Sequence, residues 1–153
     1  AYAIPLDRIA HAFARLVTGE DLSPSRARAA ERLVAACVAE PFMIAGSGTF
    51  DTEATALFGG RLFVKGGAEG VHCAALPELG LGIAIKCDDG AGRGADVAPA
   101  AAFEAFLRPT AAENERFADW LVAPVMNRAG RQVGEIRPVA GLIEALRAGR
   151  RIS

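Results

Sequence analysis

The sequence is short of several things, and each shortage narrows the field. It has only three cysteines, an odd and widely spaced number, which do not make a disulfide framework or a CxxC zinc pairing. A reduced, cytoplasmic setting fits that usage. No apolar run approaches the roughly 18 residues needed to cross a bilayer, so a membrane role is not expected. No signal peptide is expected from these residues, since Asp7 and Arg8 interrupt the first apolar stretch and no cleavage pattern follows. No segment gathers Lys and Arg with aromatics, and the net charge is −1, so no nucleic acid partner is expected. Arg147, Arg150 and Arg151 at the tail read as a solvated helix end, with phosphate contact as the alternative. There is no internal repeat, low-complexity tract or dividing linker.

What is present is alanine at helical spacing and a central β signal, in 153 residues of which 52% are hydrophobic. That length suits a single domain over residues 1–153. A first helix is predicted from Pro5 to about Thr18, stopped by Gly19, with Ile9, Phe13, Leu16 and Val17 as its apolar stripe. Ser23 and Pro24 open a second helix with Leu33, Val34, Cys37 and Val38 facing inward, ended by Pro41. Ala45–Thr49 reads as a loop, and Asp51 as the cap of a short helix to about Phe58.

Strands are predicted at Leu62–Lys65, Val71–Leu76 and Leu81–Lys86. With Pro77–Gly80 as the second turn, Leu76 opposes Leu81, Ala74 opposes Ile83, and His72 opposes Ile85. That face is bulky. The other, with Val71, Cys73, Ala75, Gly82 and Ala84, is small and suits a closely approaching helix. After the Asp88-Asp89-Gly90 turn, helices are expected at about 95–107, from a Thr110 cap to Pro124, and at 140–148. Val133–Arg137 reads as a last edge strand. The fold class is α+β, an antiparallel sheet covered by helices.

The chemistry is sparse. Lys65-Gly66-Gly67 ends the first strand in a Lys-x-Gly pattern, where an amine can hold a carboxylate or activate a hydroxyl; an exposed edge lysine fits the same spacing. Gly66–Gly70 reads as an anion-binding nest or as a plain hairpin. Glu69 is a candidate acid or base, or a turn carboxylate. Ser47, between Gly46 and Gly48, lacks a local base and the strand-turn-helix setting of a nucleophile, which leaves substrate contact or an ordinary loop serine. His72 and Cys73 are strand neighbours and point to opposite faces. They, with His11, Cys37 and Cys87, read as core or surface fillers. A cation at Asp88-Asp89 competes with a capped turn there. No metal ligand set is assigned within the chain, and no credible nucleophile is found.

Several stretches together resemble the L-asparaginase II family, the Rhizobium-type class whose fold is similar to that of serine β-lactamases. They are Ala3–Leu6, Ile44–Thr52, Phe63–Val71, Leu76–Gly90 and Val133–Pro138, in the family's order across nearly the whole chain. The resemblance implies hydrolysis of L-asparagine to aspartate and ammonia by a serine nucleophile that lysine activates. It assigns Lys65 as the catalytic lysine of a K-x-G-x-E-G pattern. Ser47, Gly66, Gly67 and Glu69 are the candidate substrate-binding residues. Gly66 stands where threonine is common. The family's Ser-x-x-Lys motif, and its Cys-Ser-Gly-Lys-His and Asp-Gly-Cys stretches that supply zinc ligands, do not occur here. The expectation is therefore a C-terminal half. It would be inactive alone, with zinc possible only through a missing N-terminal half and an exposed apolar edge covered by that half, a partner or a homo-oligomer. The opening at Ala1 without Met fits this expectation.

Overall fold

Pro5 and Gly19 bound the first helix, as the sequence suggests. In the computed structural model, which describes residues 2–149, α1 runs Leu6–Thr18 with Pro5 as its N-cap. Gly19 takes a left-handed conformation that returns its N–H to the Arg15 carbonyl. Ala1, Arg150 and Arg151 lie outside the described residues. Chain contacts form two compact units, Ala1–Gly90 and Ala91–Ser153.

In the first unit α2 spans Pro24–Ala39, α3 Phe42–Ala45 and α4 Phe50–Phe58. Three strands follow, β1 Phe63–Gly67, β2 Val71–Leu76 and β3 Leu81–Lys86, in an antiparallel sheet of order β1-β2-β3. The β2–β3 register is Leu76↔Leu81, Ala74↔Ile83 and His72↔Ile85, the pairing that the Pro77–Gly80 turn implies. Cys73 faces Ala84, and all three cysteines are free.

The small face receives α1. A Cβ built on Gly82 would lie 1.8 Å from the Ala10 carbonyl oxygen and 2.6 Å from the Ala14 nitrogen. Only a residue without a side chain lets the helix backbone come that close. Phe13 stacks on Phe63 beside it, ring centroids 5.9 Å apart. On the other face α4 packs against β1. Phe50, Phe58, Leu62, Val64 and Leu76 are buried; such side chains contribute about 1.5–3 kcal/mol each by leaving water. Leu81, Ile83 and Ile85 are half-buried.

Two details differ from expectation. Leu33 is not inward but 65% exposed; Ala30 is the α2 residue that is buried, and Leu33 lies on the rim of a groove. Asp51 does not cap α4. Thr49 does, its hydroxyl accepting the Thr52 N–H, and Asp51 falls one position inside the helix.

The second unit holds α5 Val97–Leu107, α6 Ala111–Leu121 and α7 Leu142–Arg147, with a hairpin of β4 Ala123–Met126 and β5 Gln132–Ile136. Most of α5 is buried, and it packs with α6 and α7. Thr110 and Glu113 close a full capping box on α6. Pro124 does not simply end α6, which stops at Leu121; it sits within β4, opposite Glu135. The strand read at Val133–Arg137 therefore pairs only in this separate hairpin. Arg147, exposed at the end of α7, binds the Glu104 carboxylate at 3.0 Å. The architecture is α+β with antiparallel sheets.

Candidate functional site at the end of strand β1

Strand alternation puts Val64, Gly66, His72 and Ala74 on one face and Phe63, Lys65, Cys73 and Ala75 on the other. β1 is an edge strand, so its end is open to a side chain reaching around it. Asp51, in the first turn of α4, approaches this end. It is 4% exposed, and a carboxylate buried so deeply needs partners. Its Oδ2 accepts the Gly66 N–H at 2.6 Å, and its Oδ1 lies 3.0 Å from His72 Nε2. A carboxylate only accepts, so Nε2 is the donor in that bond. The Phe50 and His72 rings meet edge-on, centroids 5.5 Å apart.

Lys65 completes the cluster. Its Nζ donates to Asp51 Oδ2 at 3.5 Å and to the Gly66 carbonyl at 2.6 Å. The side chain is 47% exposed and lines a groove of about 480 Å³ with Leu33, Cys37, Met43, Ile44 and Phe63. Two oxygen acceptors suit an ammonium. Burial pushes the Asp51 carboxyl up, but the His72 hydrogen bond, the Gly66 N–H and the charges of His72 and Lys65 outweigh it. The group titrates below its ordinary 3.8.

The nest read at Gly66–Gly70 takes another form. Gly66 and Gly67 are strand residues, and the Gly66 N–H already serves the protein's own carboxylate. A Cβ at Gly66 would stand 2.9 Å from His72 Nε2 and 3.2 Å from Asp51 Oδ2. Gly67 is exposed and has room, its Cβ position meeting only Val71. Glu69 lies at the hairpin tip with φ 61°, its side chain exposed and its carbonyl bound by Lys86 Nζ. Ser47 is exposed in the turn between α3 and α4, whose Gly46 carbonyl is held by Thr52 Oγ1 at 2.7 Å.

Lys65, Gly66, Asp51 and His72 are thus brought together, while Ser47 lies in the α3–α4 turn and Glu69 at the hairpin tip. Sequence reasoning missed Asp51 and His72 as a pair. The available signal was that His72 shares a strand face with Gly66. Among the described residues no hydroxyl or thiol is hydrogen-bonded to Lys65, and no three His, Cys, Asp or Glu side chains are placed to share a metal ion.

The family profile for L-asparaginase II matches residues 1–138. The chain belongs to the L-asparaginase II family. Its members are asparaginase-like amidohydrolases, and the matched span contains the whole β1–β3 sheet and the Asp51–Lys65–His72 cluster. A search of curated proteins finds no match. No helix among the described residues is long and apolar enough to cross a membrane.

Proposed function

We propose that this chain supplies one wall of an amide-hydrolysing pocket that converts L-asparagine and water to L-aspartate and ammonia. The observation that carries the reading is Lys65, held midway along β1 at the 480 Å³ groove with its ammonium between two oxygen acceptors. Family membership supplies the substrate class. Lys65 is assigned to the substrate's α-carboxylate, which an ammonium binds through a charge-assisted hydrogen bond. The other role, a neutral amine that takes a proton from a serine, draws less support from a half-exposed lysine beside a carboxylate.

Ser47, Gly67 and Glu69 are the further substrate contacts in this proposal; Gly66 acts by leaving room for Asp51 and His72. The nucleophilic serine is assigned to polypeptide outside these residues, in a serine β-lactamase-like fold shared by the two halves. The setting is cytoplasmic. The test is ammonia release from L-asparagine. The purified 153-residue chain is expected to show none, whereas a protein that also carries the Ser-x-x-Lys segment is expected to turn over. Hydrolysis by the chain alone would contradict the assigned roles.

A second reading has its own observation. Leu33, Phe42 and Met43 are 65%, 59% and 78% exposed beside the groove, an apolar surface that suits a covering partner or second copy. A non-catalytic subunit that keeps the fold for binding would need that cover and no nucleophile. The reading frame upstream of Ala1 separates the two: a Ser-x-x-Lys coding segment supports the enzyme, a start codon the binding subunit.

A further inference from the structure

We infer that Asp51 is a positioning residue, tethering the Lys65 ammonium to the end of β1 while His72 and the Gly66 N–H fix the carboxylate itself. The inference rests on Lys65 being the working group of the proposed pocket. The three contacts differ in kind. Gly66 N–H at 2.6 Å and His72 Nε2 at 3.0 Å are ordinary hydrogen bonds, both on the covered face of the sheet. Lys65 Nζ at 3.5 Å is at the limit of one, and its side chain alone among the partners is half exposed. Losing it would leave Asp51 with both its close partners. Asp51 therefore gives the ammonium a resting place, yet leaves it able to swing to an anion in the groove.

Gly66 is part of the device. The absence of a side chain there lets the His72 ring and the carboxylate meet beside the strand, since a Cβ would stand 2.9 Å from Nε2. His72 is the ring that keeps the carboxylate aimed at β1, and Phe50 braces it edge-on.

The chain's two lysines make the inference measurable. Lys86 donates to the carbonyls of Glu69 and Cys87 and so serves as an internal reference. The full chain is labelled with a trace of acetic anhydride at fixed pH, and the Lys65:Lys86 ratio is read by peptide mass spectrometry. An ammonium released from its carboxylate meets the reagent more freely, so Asp51→Asn is expected to raise the ratio roughly threefold. An unchanged ratio in a folded variant overturns the inference.

If Asp51→Asn does not fold, the unaltered chain decides. Raising salt from low to about 1 M screens an ion pair but not a hydrogen bond to a carbonyl. The ratio is then expected to rise, and a flat ratio overturns the tether. Labelling needs no turnover. A Lys65→Met protein that hydrolyses asparagine normally would remove the catalytic reading of Lys65 and leave the labelling result standing.

Discussion

His72 Nε2 lies 3.0 Å from Asp51 Oδ1, joining the covered face of β2 to the first turn of α4 across 21 positions of sequence. The pair is almost completely enclosed, with side chains 9% and 6% exposed. Removing one partner of a buried polar pair leaves the other unsatisfied, at a cost of about 1–3 kcal/mol. Asp51→Asn is expected to lower stability at pH 7 by that amount.

The same pair predicts a pH dependence. The Asp51 carboxyl titrates below its ordinary 3.8 in the folded protein. Its contribution is therefore fully present above about pH 4 and is lost as pH falls through the lower, folded value. In urea denaturation the gap between the native chain and Asp51→Asn should narrow from pH 7 to pH 3. An equal gap at both pH values would mean that the carboxylate's charge is not what stabilises.

Neighbouring glycines should respond differently to alanine. Gly66→Ala brings a Cβ within 2.9 Å of His72 Nε2, and overpacking of this kind costs roughly 1–3 kcal/mol. Gly67→Ala meets Val71 at an ordinary 3.5 Å and should be nearly neutral. Melting temperatures of the two variants check this, and equal losses would refute the crowding at Gly66.

Gly82→Ala tests the seat of α1. The added Cβ would overlap the Ala10 carbonyl at 1.8 Å, so the helix must lift, with a loss of at least about 3 kcal/mol. Gly60→Ala, with nothing within 4 Å, is the control. Two equally stable variants would place α1 elsewhere.

Helix caps give a paired test. Thr110→Ala removes a capping-box hydroxyl and should cost about 1 kcal/mol. Ser23, the N-cap of α2, makes no capping bond to a backbone N–H, its hydroxyl meeting the exposed Ser25 Oγ at 3.2 Å, so Ser23→Ala should cost much less. Reversal of that order in thermal denaturation would argue against the capping geometry.

Local signals were legible and long-range ones were not. The β2–β3 register followed from Pro77–Gly80, because a short turn fixes which residues oppose. The close approach of a helix followed from a face built of Val, Ala, Cys and Gly, but not that the helix is α1. β4 went unread because Pro124 looks like a terminator, although a proline is tolerated on the edge of a two-stranded hairpin. Lys65 stood out by its place before two glycines, but the strand expected to end there continues to Gly67. Asp51 was taken for a cap because acidic residues favour helix starts, and nothing within a few residues of it announces His72. Their meeting depends on how α4 packs on β1, which no local pattern encodes.

The most direct test of the account is the kinetics of Lys65→Met and Lys65→Arg in a protein that also supplies the serine. If the ammonium binds the α-carboxylate of L-asparagine, Lys65→Met should raise KM at least about tenfold, and Lys65→Arg should restore most of the loss. A Lys65→Arg enzyme as inactive as Lys65→Met would assign Lys65 to proton transfer, and unchanged kinetics in both would remove it from the site.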